Sequence, residues 1–146
     1  MTKSFFIFIA VAMLSAVLGT ACAKNKVISA NDLPKTSQEF LKNHFPDAKV
    51  SLVTKEWNEY NVWLDNGFEV NFTRKGEWDE VDGKTRPVPQ SVINLLPAAV
   101  ASYVSAHFPN AQIVSVNREP FGYDVDLSNG MDLTFDYKGN IREIDD

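Results

Sequence analysis

The stretch that decides the fold is YNVWLDNG, residues 60–67, which returns as YDVDLSNG at residues 123–130. Apolar and polar residues alternate in both copies, and this alternation is typical of a β-strand that buries one face. The Asn-Gly pair that follows indicates a hairpin turn. Both copies are therefore predicted to be strands that lead into hairpins.

The length of the hairpin loop follows from which residues it would place opposite each other. A two-residue turn would set Leu127 opposite Asp132 and so mix apolar with polar positions. A three-residue loop sets Leu127 opposite Met131 and keeps one face apolar. Because a slip of one residue would expose the whole apolar set, we predict three-residue loops at 65–67 and 128–130.

The same offset of 63 residues relates the whole stretch 33–83 to 96–146, without a gap. Further identities across this offset are Leu33-Pro34 with Leu96-Pro97, His44-Phe45-Pro46 with His107-Phe108-Pro109, and Lys75-Gly76 with Lys138-Gly139. Chance similarity would not keep register through a helix end and several turns. We interpret the chain as a tandem duplication.

Each repeat is predicted to hold one helix and four short strands. The helix begins near the Leu-Pro pair and ends before Pro46 or Pro109, and residues 89–95 suggest a short additional helix. The predicted strands are 49–56, 58–64, 68–74 and 77–82, then 112–119, 122–127, 131–137 and 140–145. The predicted fold class is α+β: a tandem duplication in which a helix packs on one face of a four-stranded antiparallel meander and leaves the other face free.

The first 23 residues resemble an export signal. Lys3 is followed by the apolar run 5–18 and then by Ala21-Cys22-Ala23, while a transmembrane helix is the weaker interpretation of so short a run. Cleavage before Lys24 would release a soluble protein. Cleavage before Cys22 would leave a lipidated cysteine and a membrane anchor. The predicted organisation is a signal peptide at 1–23 and repeats at 24–83 and 84–146 that form one compact domain.

Composition excludes several classes of protein. The chain has 146 residues, one Cys and a formal net charge of −5. A single Cys supports neither a disulfide framework nor a zinc cluster. The negative charge argues against nucleic acid as a partner, because a phosphate backbone requires a basic surface.

The tandem pattern of Leu-Pro, an amphipathic helix, His-Phe-Pro, Tyr-x-Val-x-Leu-x-Asn-Gly and Phe-x-x-x-Gly, behind a signal peptide, resembles the PepSY-like periplasmic proteins of Bacteroidetes. The resemblance covers essentially the whole mature chain. It implies a fold similar to beta-lactamase inhibitory protein and a secreted, non-enzymatic binding or inhibitory role, with a calcium link in some members. Fold similarity does not transfer binding residues, so none is carried over.

The free face of the first repeat is expected to carry a protein-binding surface. All three tryptophans lie in this repeat, and alternation places Trp63 away from the apolar face. The predicted binding residues are Trp57, Asn61, Trp63 and Glu69, with Asn71 beside them. Exposed Trp is a frequent anchor in protein interfaces. The alternative is that the other repeat or the linker covers Trp63.

The free face of the second repeat is expected to be acidic. Its carboxylates are Asp124, Asp126, Asp132 and Asp136. The three-residue loop places Asp126 opposite Asp132, where like charges repel. Either solvent screens these charges, or a cation such as calcium binds Asp124, Asp126 and Asp132. The acidic residues near the strand ends, namely Glu80, Asp82, Glu143, Asp145 and Asp146, are expected to be solvated.

No catalytic grouping is recognisable, and no residue is assigned a catalytic role. His44 and His107 occupy the same place in both repeats, where a partly charged imidazole would suit a helix C-terminus. An enzyme would require these histidines or several carboxylates to converge in a cleft. The sequence thus favours a periplasmic or secreted binding module that engages an unknown envelope protein and has no cofactor. The alternative is a protein that responds to calcium or a small ligand through its acidic face.

Overall fold

The computed structural model describes residues 25–146. The predicted signal peptide and Cys22 lie outside this part of the chain, as does the choice of cleavage site. The described residues form three α-helices, namely α1 (Lys35–His44), α2 (Gln90–Ile93) and α3 (Ala98–His107). The strands are β1 (Lys26–Ile28), β2 (Val50–Lys55), β3 (Glu59–Leu64), β4 (Glu69–Thr73), β5 (Trp78–Asp82), β6 (Ile113–Glu119), β7 (Gly122–Leu127), β8 (Asp132–Asp136) and β9 (Ile141–Asp145).

All nine strands form a single antiparallel sheet in sequence order, β1 to β9. The eight predicted strands are present, and β1 is an additional edge strand that pairs with β2. The two groups of four strands meet where Val81 of β5 pairs with Val116 of β6. The protein is therefore a mixed α and β structure with one large antiparallel sheet and few helices.

The register of the hairpins agrees with the three-residue loops that the sequence predicts. Val125 pairs with Leu133, and the Leu127 N–H donates to the Met131 carbonyl at 2.8 Å. The final loop residues, Gly67 and Gly130, have φ of 89° and 85°. Glycine reaches this left-handed region without the clash that a Cβ would cause. The three-residue loop is confirmed in both repeats.

A row of buried side chains crosses the sheet and explains why the strands hold this register. It contains six side chains with no exposed surface, namely Val62, Val70, Val81, Val116, Val125 and Leu133. Burying each aliphatic side chain contributes roughly 1.5–3 kcal/mol before the entropy cost of ordering the chain. A one-residue slip at any strand would turn part of this row to solvent.

The helices α1 and α3 cover the same face of the sheet. Each begins directly after its N-cap proline, Pro34 or Pro97, because proline tolerates the first turn, where the backbone N–H has no helical partner. Phe40 of α1 packs edge-on against Phe72, and Tyr103 of α3 packs edge-on against Phe135. Both helices thus lie on the side of the buried row, and no helix formed by residues 25–146 lies on the opposite face.

None of the helices in residues 25–146 is long and apolar enough to cross a membrane.

Candidate functional site

The face of the sheet opposite the helices, here called the open face, displays two rows of side chains that run across both repeats. The first row is Leu52, Trp63, Glu69, Asp82, Ser115, Asp126, Asp132 and Asp145. The second row is Thr54, Asn61, Asn71, Glu80, Asn117, Asp124, Thr134 and Glu143. Because β5 pairs with β6, the acidic side chains of the two repeats share one surface.

Three of the predicted protein-binding residues lie together on the open face. Trp63 is opposite Glu69 on the neighbouring strand, and Asn61 is two residues from Trp63 on β3. Asn61 is only 7% exposed and Trp63 is half-buried. Trp57 stands apart, because it lies in the β2–β3 turn and is 81% exposed. The second repeat extends the sheet sideways rather than lying over Trp63.

An internal lysine neutralises part of the acidic surface in the first repeat. The Lys84 ammonium lies 3.2 Å from a carboxylate oxygen of Glu69 and 2.7 Å from one of Asp82. Lys84 has φ of 59°, the only positive value at a non-glycine residue from 25 onward. Its own backbone N–H also donates to Asp82. The chain therefore accepts an unfavourable backbone conformation where it places a positive charge over two carboxylates.

The three aspartates predicted to bind a metal converge in the second repeat. One oxygen from each of Asp124, Asp126 and Asp132 lies within 4.8 Å of the others. Asp126 is directly opposite Asp132, as the loop register predicts. In the part of the chain from residue 25, no Lys or Arg forms an ion pair with any of the three. The first repeat thus has a counter-ion of its own, and this cluster does not.

Two oxygens in this cluster are buried without a hydrogen-bond donor. They are Oδ1 of Asp124 and Oδ1 of Asp132. A buried acceptor that lacks a donor costs roughly 1–3 kcal/mol. A hard cation would satisfy both oxygens, so the donor set fits calcium, which prefers carboxylate and water ligands.

The electrostatics of the cluster favour uptake of positive charge. Partial burial, and after it the neighbouring Asp132, raise the pKa of Asp126 to about 6. Burial and the same neighbour raise the pKa of Asp124 well above its ordinary value. Each shift reflects the cost of a carboxylate charge that is poorly hydrated and close to another. A bound proton or metal ion would relieve that cost.

Glu80 corrects the expectation that it is a solvated residue near a strand end. It lies in the middle of the sheet because β5 is flanked by β4 and β6. Burial, followed by the charges of Asp82 and Glu69, raises the pKa of Glu80 to about 7. The Asn71 side-chain amide donates to Glu80 at 3.1 Å, while Oδ1 of Asn71 is buried without a partner. The sequence carries no local signal for this burial, because it results from the pairing of β5 with β6.

Asp136 lies on the open face, as the alternation predicts, but outside the cluster of Asp124, Asp126 and Asp132. Its carboxylate accepts the backbone N–H groups of Lys138 and Asn140 and lies 3.2 Å from Arg142. The hydrogen bond from the Asn140 backbone contributes most to lowering the pKa of Asp136. Asp136 therefore stabilises the β8–β9 turn.

The two histidines have packing roles on the helix side of the sheet. Nδ1 of His44 is 2.8 Å from the Ser91 hydroxyl, and His107 stacks on Tyr103 at 4.0 Å. Burial lowers the pKa of His44, which disfavours the charged imidazole expected from the sequence. The carboxylate cluster lies on the opposite face, so the histidines and these acids do not converge.

The sequence matches the family described as "Putative beta-lactamase-inhibitor-like, PepSY-like" over residues 19–71 and 58–143. The chain belongs to this PepSY-like family, which is not a known enzyme family.

Three solved structures of Bacteroides proteins resemble the chain. One, from Bacteroides thetaiotaomicron and named a "putative calcium-regulated periplasmic protein", is 39% identical with a TM-score of 0.78, covering 84% of this chain and 97% of its own. A "putative periplasmic protein" of the DUF2874 family from Bacteroides vulgatus is 36% identical, with a TM-score of 0.78. The match covers 86% of this chain and 100% of that protein. A third, also a "putative periplasmic protein" from Bacteroides vulgatus and of unknown function, is 32% identical, with a TM-score of 0.77. The match covers 84% of this chain and 99% of that protein. No curated protein matches the chain.

Proposed function

We propose that this protein is a non-enzymatic binding protein of the periplasm that takes up a calcium ion through Asp124, Asp126 and Asp132. The observation that carries the proposal is the convergence of three carboxylates that include two buried oxygens without a donor. The name of the Bacteroides thetaiotaomicron protein, calcium-regulated, supports the same ion.

The ligand set fits calcium at modest affinity. Calcium takes six to eight oxygen ligands, so three aspartates need several waters to complete its coordination. Sites of this kind in extracellular modules have dissociation constants of about 10⁻⁴–10⁻³ M. We expect the affinity of this protein to lie in that range. Neutralising the opposed Asp126 and Asp132 would stabilise the β7–β8 hairpin.

Calorimetric titration of calcium chloride into the protein at pH 7.5 tests the proposal. We expect saturable binding of one ion. Asp126→Asn and Asp132→Asn should each weaken binding at least about tenfold, since each removes one ligand charge. Asp47→Asn is the matched control, because it removes a carboxylate from an exposed position outside the cluster.

Two results would overturn the calcium site. One is a flat thermogram for the unsubstituted protein at millimolar calcium. The other is equal affinity in the Asp126→Asn, Asp132→Asn and Asp47→Asn proteins. A magnesium titration adds selectivity, since Mg²⁺ dehydrates reluctantly and should bind more weakly to a loosely arranged cluster.

The proposed location rests on the N-terminal sequence together with the periplasmic relatives. We expect the exported protein to begin at Lys24. Mass spectrometry of the exported protein distinguishes this from a chain that begins at an acylated Cys22 and is anchored to a membrane.

We further infer that the two repeats arose by tandem duplication. Helices α1 and α3 have bounds offset by 63 residues, and the glycines of the hairpin loops share the same backbone conformation. Introducing the first-repeat loop 65–67 in place of 128–130 tests this equivalence. The exchanged protein should fold with little loss of stability, and a loss of several kcal/mol would contradict equivalence of the loops.

A second candidate function is docking of an envelope protein on the open face of the first repeat. Its support is the cross-strand pair of Leu52, 41% exposed, and Trp63, a combination of apolar groups typical of an interface core. Co-purification from the native envelope should recover a partner that is lost with Trp63→Ala. Retention of every partner by Trp63→Ala and Trp57→Ala proteins would exclude this surface.

A further inference from the structure

A second binding site lies at one end of the sheet, away from the aspartate cluster. The β2–β3, β4–β5, β6–β7 and β8–β9 turns all lie at this end, here called the tryptophan end. The three exposed aromatic side chains of residues 25–146 are all found there, namely Trp57 (81%), Phe121 (54%) and Tyr137 (48%). Exposed aromatic groups gathered at one end indicate a contact surface.

A pocket of about 230 Å³ opens at the tryptophan end, where the two repeats meet. Trp78 and Asp79 come from β5, Arg118 and Glu119 from β6, and Tyr137 from the β8–β9 turn. Drug-sized ligands occupy pockets of roughly 300–1,000 Å³. The smaller volume here fits one long side chain of a partner.

The only positively charged side chain of residues 25–146 that lines this pocket, Arg118, is held by contacts with Trp78. The Arg118 guanidinium lies over the Trp78 ring at 5.2 Å and donates from Nη1 to the Trp78 carbonyl at 3.1 Å. No ion pair joins Arg118 to Asp79 among the residues from 25 onward. The pocket therefore keeps an excess of negative charge in spite of its arginine.

The acidic groups of the pocket receive few hydrogen bonds from residues 25–146. Asp79 accepts no hydrogen bond within residues 25–146, whereas Glu119 accepts one from the Asn117 amide at 3.0 Å. Burial raises the pKa of Asp79, with Arg118 opposing it, and burial and then Asp79 raise the pKa of Glu119. The Thr73 hydroxyl, in the same wall, is buried without a partner.

We propose that the pocket receives an arginine side chain of a partner protein, whose neighbouring apolar residues contact Trp57 and Phe121. The guanidinium offers five donors, enough for the Asp79 and Glu119 carboxylates. Tyr137 lines the pocket, and Trp57 and Phe121 lie in other turns at the same end of the sheet. These exposed aromatic side chains favour a protein over a free small cation, because they supply contact area beyond the charged anchor. The proposal does not rest on calcium binding, since it uses different residues.

Nuclear magnetic resonance of the three tryptophan indoles tests the proposal. The probe is the capped tripeptide Ac-Leu-Arg-Leu-NH₂, and its control replaces Arg with citrulline, which is neutral and nearly the same shape. We expect the arginine peptide to shift the Trp78 and Trp57 signals in a saturable manner and to leave Trp63 unchanged. The citrulline peptide should bind at least about tenfold more weakly, which corresponds to the loss of a charge-assisted pair.

Substitutions distinguish binding in the pocket from non-specific attraction of a cationic peptide to an acidic protein. Asp79→Asn and Glu119→Gln should each weaken binding of the arginine peptide at least about fivefold, while dispersed amide signals show that the protein is folded. Asp126→Asn removes one charge from the aspartate cluster and should have no effect. Equal binding of the two peptides, no shift at 10 mM arginine peptide, or equal losses with Asp126→Asn would overturn the site. A calcium titration of the Asp79→Asn protein should match that of the unsubstituted protein.

Discussion

The two halves of the sheet contain the same order of strands and treat opposed carboxylates in opposite ways. In the first, Glu69 and Asp82 face each other on adjacent strands, and Lys84 lies between them. In the second, Asp126 and Asp132 face each other without a cation from residues 25–146. The difference shows that the sheet specifies where charges meet, while single side chains decide whether they are neutralised.

The largest expected effect tests whether the two repeats are one cooperative unit. Phe72→Ala and Phe135→Ala remove equivalent, fully buried rings that pack against α1 and α3. Each should cost about 3–5 kcal/mol of unfolding free energy. Because β5 pairs with β6, urea unfolding followed by fluorescence and by circular dichroism should show one shared transition in each variant. Two separate transitions would show that the repeats unfold independently.

The next effect exploits a position at which the repeats differ. Gly122 has φ of 154°, and a Cβ there would lie 2.0 Å from the Phe135 carbonyl oxygen. Gly122→Ala should therefore cost about 3 kcal/mol or more. Its counterpart Glu59 already carries a side chain, so Glu59→Ala should change stability by less than about 0.5 kcal/mol. Similar urea midpoints for the two variants would contradict the close approach of β7 and β8.

A smaller effect should appear when pH is varied. The raised pKa values of Glu80 and Asp126, about 7 and 6, mean that the folded state binds these protons more tightly than the unfolded state. The stability they contribute is fully present below pH 4 and is lost as pH rises through 6 and 7. In chelator, Tm should fall by about 5 °C between pH 5 and pH 8.

Calcium at the proposed site should oppose this loss, because an ion there would favour the deprotonated aspartates. Scanning calorimetry with 5 mM calcium at pH 8 should restore part of the lost Tm. The Glu80→Gln, Asp126→Asn double variant should show a flatter pH profile. A Tm that is constant or increases from pH 5 to pH 8 would contradict the assigned burial of these groups.

The smallest expected effect concerns the internal counter-ion. Lys84→Met should cost less than about 1 kcal/mol, since the ammonium is largely exposed. The same substitution should raise the pKa of Glu80 further, because the Lys84 charge lowers it. Carboxyl-carbon chemical shifts measured against pH would detect this change. An unaltered Glu80 titration would show that Lys84 acts only locally on Glu69 and Asp82.

Local features of the fold could be predicted from the sequence. The proline and glycine positions indicated the helix bounds and loop lengths, and the alternation of YDVDLSNG placed Asp126 on the open face opposite Asp132. These predictions depend on neighbouring residues and on a period of two. They hold because a misplaced strand would expose its whole apolar face.

The joining of the two repeats could not be predicted in the same way. Strands β5 and β6 are separated by the connector and two helices, and nothing in either strand specifies the other as its partner. The sequence therefore predicts a solvated Glu80, and it does not predict the pocket formed by Asp79, Arg118 and Tyr137. Sites built by distant segments depend on tertiary pairing rather than on local pattern.

Lys84 limits which carboxylates of the sheet could respond to ions in the medium. A tethered ammonium cannot be diluted, so its effective concentration over Glu69 and Asp82 stays high whatever the composition of the medium. The charges of Glu69 and Asp82 would stay neutralised at every ion concentration, whereas the occupancy of the aspartate cluster would change with the ion concentration. Calcium uptake at the proposed site would then follow a single-site curve, with a Hill coefficient of one.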